Sequence, residues 1–383
     1  MTLTMVVMAA LAALSFALSV WQFVLALRFP LHRRSVPAGP APGVSLLKPL
    51  RGCDAETRAC LRSWLAQDYA GPVEILFGVD GDDDPACEVV RDLMKEHPRC
   101  PAQLVVCAER LGPNAKVSKL VQLARRTRHG ILCVSDADVL VPPDFLGNAA
   151  APLREERTGL VNCFYRLANP KGLAMRWEAF AVNADFWSQV LQATALKPMD
   201  FALGAVMVTT RRHLDAAGGF HALVDYLADD YELGKRIVRC GAQVVISPLV
   251  VDCRMAPQGF AEVWLHQLRW ARTIRVCQPG PYFLSILGNT TLWPLAWAAA
   301  HPTRTVLAAS GAMLAWRMMM GFLLEWRMTQ RARIDSLGLA LVKDLVQIAL
   351  WVGAFTGREV VWRGQRLCVD SSGRLKHAST GSR

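Results

Sequence analysis

The sequence lacks the cysteine spacings of common redox and zinc sites. It contains eleven cysteines, but no Cys-x-x-Cys pair and no combined cysteine and histidine spacing typical of zinc ligands. An odd number of scattered cysteines indicates small buried hydrophobic side chains in a reducing compartment. These absences argue against a zinc finger and against a small secreted domain held together by disulfides.

Charge is absent from the first apolar segment. No charged side chain lies between Leu3 and Leu27, and at helical rise this segment can cross a hydrocarbon core of about 30 Å. Because it has no basic region before it and no small-residue cleavage pattern, it differs from a cleaved signal peptide. We predict a retained transmembrane anchor at 1–29. The basic segment 28–34 follows, which predicts that the next domain faces the cytosol.

The charge distribution indicates a membrane rather than nucleic acid as the partner. The 383 residues carry a formal net charge of +11, with 52% hydrophobic residues and a mean hydropathy of +0.23, which is high for a soluble protein. The basic residues concentrate beside apolar segments, at 28–34, 269–275 and 327–333. This arrangement suits an anionic membrane surface. No recognition helix, finger or RNA-binding signature is present, so we expect no nucleic-acid partner.

The middle of the chain has an α/β pattern. Strands are predicted at 44–47, 73–79, 104–106 and 131–135, and helices at 55–65, 85–96 and 117–126. This alternation predicts a mostly parallel sheet covered on both faces. From 150 to 258 the pattern is mixed, with further strands predicted at 206–209 and 244–246 and a helix at 230–239.

The last third of the chain returns to membrane character. Apolar segments lie at 283–300, 306–324 and 334–355. The first two predict a helical hairpin across the bilayer, turned at His301 and Pro302. The third carries Asp335, Lys343 and Asp344. Because a charge at mid-bilayer is costly unless it is paired or faces protein, this segment is expected to lie in the interface or to pack against the others.

These patterns predict five regions. They are the anchor at 1–29, an α/β domain at 44–258, an amphipathic interfacial helix at 259–277, membrane segments at 283–356 and a tail at 357–383.

Two carboxylates end the strand predicted at 131–135. Asp136 and Asp138 are two residues apart, so in extended chain they point to the same side. The carboxyl end of a strand is where open α/β sheets bind ligands. Two oxygen donors there suit Mg²⁺ or Mn²⁺, which takes its remaining ligands from water and phosphate. A surface loop is the alternative, since a lone Asp-x-Asp pair is common.

Two further acidic clusters follow predicted strands or begin helices. The turn 80–85 contains Asp80, Asp82, Asp83 and Asp84, one of which could accept hydrogen bonds from the N–H edge of a nucleotide base. One of the adjacent Asp229 and Asp230, at a predicted helix start, could act as a general base for an acceptor hydroxyl. A solvated turn and a helix cap are the simpler alternatives.

Basic and aromatic residues complete the candidate site. The predicted helix at 259–277 carries His266, Arg269 and Trp270, and its arginines could snorkel at an interface or reach an anionic diphosphate. Lys48 follows the first strand and Lys116 precedes a helix, positions that suit phosphate contact as well as surface charge.

Taken in order, these motifs resemble the ceramide glucosyltransferase family and its bacterial relatives that glycosylate hopanoids. The ordered set is Leu-Leu-Lys-Pro-Leu, Asp-Pro-Ala, Asn-x-Lys, Ser-Asp-Ala-Asp, Asp-Asp-Tyr and Arg-Trp. The resemblance runs from about 44 to 275. It implies a GT-A fold, a UDP-sugar donor, a divalent metal and transfer to a lipid alcohol with inversion.

The resemblance also assigns roles. It implies that Asp83 or Asp84 lies near uracil, that Asp136 contacts the metal and diphosphate with Asp138, and that Asp230 is the base. Arg269 and Trp270 match the end of a Gln/Arg-x-x-Arg-Trp motif. The first position of that motif is His266 here, which departs from the family pattern.

The sequence alone leaves the substrates and some alternatives open. The acceptor is expected to be a hopanoid polyol, with UDP-N-acetylglucosamine as donor, or ceramide, with UDP-glucose. One alternative function is a processive polysaccharide synthase, which shares the motif set but needs a membrane channel. A second alternative is an inactive membrane scaffold that binds nucleotide-sugar, which would show no metal-dependent release of UDP. A multi-pass protein of a bacterial inner membrane is the expected setting.

Overall fold

A computed structural model describes residues 2–34, 41–362 and 365–377. Its α-helices are α1 Leu3–Arg28, α2 Thr57–Leu65, α3 Ala86–Glu96, α4 Ala115–Ala124, α5 Phe145–Ala150, α6 Gly172–Phe180, α7 Trp187–Leu196, α8 Arg211–Ala216, α9 Asp229–Arg239, α10 Phe260–Cys277, α11 Pro279–Leu284, α12 Leu292–Ala300, α13 Arg304–Thr329 and α14 Asp335–Phe355. Its strands are β1 Val44–Pro49, β2 Val73–Val79, β3 Ala102–Val106, β4 Ile131–Ser135, β5 Val139–Leu140, β6 Thr158–Leu167, β7 Val206–Thr210, β8 Gln243–Cys253, β9 Glu359–Trp362, β10 Gln365–Val369 and β11 Leu375–His377.

The chain forms two compact units. One, which we call the sheet unit, contains Leu31–Asn169, Pro198–Ala256 and Gly373–Arg383. The other, the helical unit, contains Met1–Pro30, Pro170–Lys197 and Pro257–Ser372. The α/β region expected at 44–258 is therefore not one continuous unit, because residues 170–197 group with the helical unit.

The sheet unit contains an eight-stranded mixed sheet with the order β3-β2-β1-β4-β7-β6-β8-β5. Strands β3, β2, β1 and β4 run parallel to one another, as the βα alternation predicts. The α/β class is confirmed, but the expected mostly parallel sheet is found only in part. Strand β7 is antiparallel to both β4 and β6, and β5 is antiparallel to β8.

The parallel half of the sheet follows the predicted elements closely. Strands β2 and β4 have the predicted bounds, and every residue of β1 is buried. Helix α4 packs on β1 and β2. The indole Nε1 of Trp64 donates a hydrogen bond of 3.0 Å to the carbonyl of Val139, which ties α2 to β5. This half of the sheet carries the carboxylates that follow β4.

In the helical unit, three helices are long and apolar enough to cross a membrane, judged by length and composition: α1, α13 and α14. The predicted helical hairpin of 283–300 with 306–324 is wrong for the first of these segments, which does not form one continuous helix. That segment is divided into α11, a 3₁₀ turn at Ser285–Gly288 and the nine-residue α12. Asn289 divides them by accepting hydrogen bonds from the backbone N–H of Thr291 and Leu292, at 3.2 and 2.8 Å. Nine residues at helical rise are too short for a bilayer.

Helix α14 packs against the other helices of its unit, one of the two outcomes expected for it. It contacts α13 and α10. Its Lys343 and Asp344 are both buried and paired: Lys343 Nζ lies 2.6 Å from Asp185, and Asp344 lies 2.8 Å from Arg317. Pairing removes most of the cost that charges would have in an apolar helix.

The predicted amphipathic helix is present as α10. Its buried residues Val263, Gln267 and Ala271 recur every four positions, so they form one stripe. Phe260, on the same helix, is exposed. Within the tail, β9 and β10 form an antiparallel hairpin.

Close packing at Gly234 gives a prediction for stability. A Cβ at this position would lie 2.4 Å from the carbonyl carbon of Phe201 and 2.5 Å from the backbone nitrogen of Ala202. Although alanine is the better helix former, Gly234→Ala should destabilise the protein by about 1–3 kcal/mol, because backbone must move. Thermal unfolding in detergent measures the effect. Gly130→Ala is the matched control, since a Cβ there meets nothing within 4 Å, and equal melting temperatures would contradict the prediction.

Candidate active site

The turn after β4 is fixed by backbone hydrogen bonds on both sides. The N–H of Asp136 donates to the carbonyl of Ala205 at 3.1 Å, and the N–H of Arg254 donates to the carbonyl of Asp138 at 2.9 Å. Both carboxyl side chains are partly buried. The pKa of Asp138 is raised to about 6, first by burial and then by the nearby charge of Asp136. The two carboxylates therefore influence each other, as two ligands of one cation would.

Lys116 joins two of the acidic clusters. Its ammonium lies 2.7 Å from Asp136 Oδ1 and 3.7 Å from Asp229 Oδ2, and its side chain is 10% exposed. Burial acts to lower the pKa of Lys116, but the carboxylates of Asp136 and Asp229 outweigh it and raise the pKa well above its ordinary value. Lys116 thus lies in the predicted site and keeps its charge there.

Asn114 positions Lys116 at the start of α4. Its Oδ1 accepts a hydrogen bond from the N–H of Val117 at 3.0 Å, which caps the helix. Its Nδ2 donates to the carbonyl of Tyr226 at 2.8 Å and to Asp229 Oδ1 at 3.4 Å. The Asn-x-Lys motif therefore works as a pair, in which Asn114 holds the helix start and Lys116 supplies the charge.

Lys48 stabilises the end of β4 from within. It is fully buried, and its ammonium donates to Ser135 Oγ at 3.1 Å and to the carbonyl oxygen of Asp136. It also lies 5.0 Å from the ring centroid of Trp64. Burial lowers its pKa to about 8. These contacts are internal to the protein, so a phosphate contact of Lys48 stays a prediction.

Asp230 lies at the start of α9, next to the acid that Lys116 binds. Its Oδ1 accepts a hydrogen bond from the N–H of Tyr231 at 2.8 Å. Burial, followed by the charge of Asp229, raises its pKa to about 6. A Cβ at Gly204 would lie 2.7 Å from Asp230 Oδ2, so this glycine leaves room for the carboxylate. A pKa near neutrality is what a general base requires.

The acidic turn after β2 divides its carboxylates among different partners. Asp80 is 2.5 Å from Lys119, and Asp82 is 3.3 Å from Arg91. Asp84 accepts hydrogen bonds from the N–H groups of Gly52 at 3.0 Å and of Ala86 at 2.9 Å.

Asp83, in contrast, is exposed, and the described residues give it no hydrogen bond or ion pair. Since Asp84 is bound to backbone within the turn, Asp83 is the carboxylate of the predicted pair that is available to a base. A contact of either residue with uracil stays a prediction.

The charges near β4 suit a divalent cation. Asp136 and Asp138 interact with the ammonium group of Lys48, and Asp136, Asp229 and Asp230 interact with that of Lys116. Within the described residues, no group of three or more histidine, cysteine, aspartate or glutamate side chains could hold a metal. The candidate donor set is the pair Asp136 and Asp138, which would suit a cation that completes its shell with phosphate and water.

His266, Arg269 and Trp270 belong to the helical unit, on α10. The Nδ1 of His266 lies 2.7 Å from Glu178 Oε1, and Gln267 Nε2 donates to the same oxygen at 2.9 Å. Glu178 is completely buried. His266 is thus bound to a carboxylate, and its ring lies 4.8 Å from that of Trp270. The predicted contacts of His266, Arg269 and Trp270 with the donor stay predictions.

Sequence reasoning missed several residues of the site. Asp229 was noticed only as a neighbour of Asp230, and Asn114 only as part of a motif. Ser135 is part of the Ser-Asp-Ala-Asp motif but had no assigned role, and Ala205 and Arg254 act through backbone atoms that a sequence pattern does not reveal.

The comparisons with known proteins identify the family. The family model described as glycosyl transferase family 21 matches residues 4–375. The chain belongs to glycosyl transferase family 21. The family resemblance predicted from the motifs is thus confirmed, and it covers nearly the whole chain.

Named relatives of this family 21 protein are ceramide glucosyltransferases. Ceramide glucosyltransferase 1 of Caenorhabditis elegans is 28% identical over 220 residues, which cover 57% of this chain and 47% of the relative. The ceramide glucosyltransferase of Candida albicans is 30% identical over 122 residues, covering 29% of this chain and 22% of the relative. The chain therefore spans half or less of the length of these relatives.

A solved structure confirms the fold. The mannosyltransferase PcManGT from Pyrobaculum calidifontis, in complex with GDP-Man and Mn²⁺, is 23% identical, with a TM-score of 0.56. The similarity covers 90% of this chain and 99% of that one. The expected GT-A fold is confirmed.

The position of Lys116 in this family 21 protein predicts a large effect on stability. Lys116→Met leaves the carboxylates of Asp136 and Asp229 without their cation and should destabilise the protein by about 3–5 kcal/mol. Thermal unfolding measures the loss, and added Mn²⁺ should restore more stability to the variant than to the parent. Lys95→Met is the control, because Lys95 is 78% exposed. If both variants melt alike, Lys116 does not hold these acids together.

Proposed function

We propose that this protein is an inverting glycosyltransferase that moves a sugar from a UDP-sugar to a hydroxyl group of a membrane lipid. The observation that carries the proposal is the contact of Lys116 with both Asp136 and Asp229, the neighbour of Asp230. It brings a pair of candidate metal ligands and a candidate base around one buried ammonium. An enzyme that transfers a sugar from a nucleoside diphosphate to an acceptor hydroxyl needs both in one place.

The proposed reaction is a single displacement. Asp230 takes the proton of the acceptor hydroxyl while its oxygen forms a bond to C1 of the sugar. The bond between C1 and the phosphate oxygen breaks, and its electron pair leaves with UDP. Because attack comes from the face opposite the leaving group, the configuration at C1 inverts. A pKa of about 6 keeps most Asp230 carboxylates ionised at neutral pH.

Mg²⁺ or Mn²⁺ is the proposed cofactor. Asp136 and Asp138 would hold the ion, and the ion when bound would neutralise negative charge on the leaving diphosphate. The two carboxylates lie close enough together for the charge of Asp136 to raise the pKa of Asp138, which supports this assignment. In the sheet unit, Lys48, Lys116, Asp83 and Asp84 are proposed to contact the donor.

The proposed setting is a bacterial inner membrane, with the sheet unit in the cytosol. The three apolar helices α1, α13 and α14 support membrane insertion. The basic residues that follow α1 support a cytosolic orientation and contact with anionic lipids. The names of the relatives favour ceramide and UDP-glucose as substrates, whereas a hopanoid polyol with UDP-N-acetylglucosamine is the second candidate pair.

Replacing the proposed base should separate binding from turnover. Asp230→Asn removes the proton acceptor, so kcat should fall by about 10²–10⁴-fold while UDP binding is retained. Release of UDP and calorimetric binding of UDP measure the two effects. Asp225→Asn is the control, since Asp225 is an exposed residue nearby. Turnover of Asp230→Asn at the parent rate would rule out its assignment as the base.

A substrate screen tests the function itself. Purified protein is incubated with Mn²⁺, a panel of UDP-sugars and a membrane lipid extract, and new glycolipids are identified by mass spectrometry. We expect one lipid class to gain a single sugar. Products with many sugars would indicate a processive synthase, and the absence of any metal-dependent UDP release would indicate an inactive scaffold.

A further inference from the structure

A segment near the C-terminus pairs with the segment that leads into α9. We call residues 373–375 the tail segment and residues 225–227 the entry segment, and both belong to the sheet unit. Two backbone hydrogen bonds join them: from the N–H of Leu375 to the carbonyl of Asp225 at 2.6 Å, and from the N–H of Leu227 to the carbonyl of Gly373 at 3.2 Å. The pairing is an antiparallel β-bridge, and α9 begins two residues after it.

Side chains add to this backbone pairing. The guanidinium of Arg374 lies 5.5 Å from the ring centroid of Tyr226, and its Nε donates a hydrogen bond of 3.4 Å to the Tyr226 hydroxyl. Arg236, on α9, lies 5.8 Å from the same ring centroid. A cation close to an aromatic ring is attracted by it. Because Leu375 is only 4% exposed, a buried apolar side chain also holds the tail segment in place.

The entry segment is bound by α4 as well as by the tail segment. The carbonyl of Tyr226 accepts a hydrogen bond from Asn114 Nδ2 at 2.8 Å, and the backbone N–H of Asn114 donates to the carbonyl of Val224 at 2.9 Å. The same Nδ2 donates to Asp229 Oδ1 at 3.4 Å. Since Asn114 caps the helix that carries Lys116, the tail segment and the start of α4 together fix the approach to α9.

A short connection carries this fixation to the acids of the site. Asp229 and Asp230 lie within three residues of the entry segment, and Asp229 Oδ2 is 3.7 Å from the ammonium of Lys116. The N–H of Glu232 donates to the carbonyl of Ala228 at 3.0 Å, so the first turn of α9 follows the entry segment directly. A displacement of that segment would move both acids relative to Lys116, and the attraction between opposite charges falls with distance.

We propose that the tail segment positions the start of α9 for the reaction. By pairing with the entry segment, it keeps Asp229 within reach of Lys116 and Asp230 beside it. Arg374 is the positioning side chain, and it acts through Tyr226. That the positioned acid is the base rests on the proposed function, whereas the pairing of the two segments does not.

Arg374→Ala in the full chain tests the proposal. Because Arg374 is exposed, the variant should melt at the temperature of the parent. Its kcat should fall about threefold to fivefold, as expected for one lost cation–π contact, while the Kd for UDP should not change. Arg374→Lys keeps a cation near the ring and should recover most of the lost kcat. In a Tyr226→Ala background, Arg374→Ala should have no further effect, because the arginine acts through that ring.

Hydrogen exchange tests the positioning step without any turnover. The amides of Tyr231 and Glu232 report on the first turn of α9, since they donate to Asp230 Oδ1 and to the carbonyl of Ala228. In Arg374→Ala these two amides should exchange at least about threefold faster than in the parent, because the start of the helix opens more often.

Arg99→Ala is the matched control. Arg99 is an exposed arginine of the sheet unit, and the described residues give it no hydrogen bond or ion pair. This variant should match the parent in kcat and in exchange. For Arg374→Ala in an active enzyme, an unchanged kcat or unchanged exchange would overturn the proposal. An equal loss of kcat and of UDP affinity would also overturn it, since that indicates a general structural role.

The two readouts keep this proposal and the proposed function apart. If Arg374→Ala speeds exchange at the start of α9 but the parent transfers no sugar, the proposed function fails and the pairing of the tail segment with the entry segment stands. If the parent transfers sugar but Arg374→Ala changes neither kcat nor exchange, the assignment of the tail segment fails alone.

Discussion

The sheet unit depends on one buried positive charge. Lys116 lies between the carboxylate that follows β4 and the carboxylate that begins α9, at 2.7 and 3.7 Å. Neither element could carry its acids into a partly buried position without a cation nearby, since an unpaired buried carboxylate is strongly destabilising. The placement of α4, whose first turn is capped by Asn114, therefore determines whether the acids of two distant chain segments can meet.

The two units pair their buried charges differently. Near β4, the carboxylates of Asp136, Asp138, Asp229 and Asp230 lie around the ammonium groups of Lys48 and Lys116, and the proposed cation would add to that positive charge. Around Arg317, two carboxylates and two cations pair with one another. The charges of this buried cluster in the helical unit are therefore satisfied within the protein.

Much of this could be predicted from local sequence. The bounds of strands β2 and β4 could be predicted because their short apolar runs end in turn residues. Asp136 and Asp138 are candidates because they follow a strand, whereas Asp230 is preferred over Asp229 by the family resemblance. Strand β6 was missed, since burial of nearly all its residues removes the alternation that marks a strand. The break at Asn289 was missed for a related reason: a long apolar stretch gives no sign of where side-chain capping will interrupt it.

What sequence could not provide was the set of backbone approaches that join the acids. The segment 200–205 contacts both sides of the site: its Ala205 carbonyl accepts from the N–H of Asp136, while Gly204 makes room for the Asp230 carboxylate. Gly234 lets α9 approach the same segment at backbone distance. Such contacts are made by glycines and backbone carbonyl groups. Because no functional side chain takes part, a sequence pattern does not predict them. One short segment therefore positions both the candidate metal ligand and the candidate base, and a shift of its backbone would move the two carboxylates together.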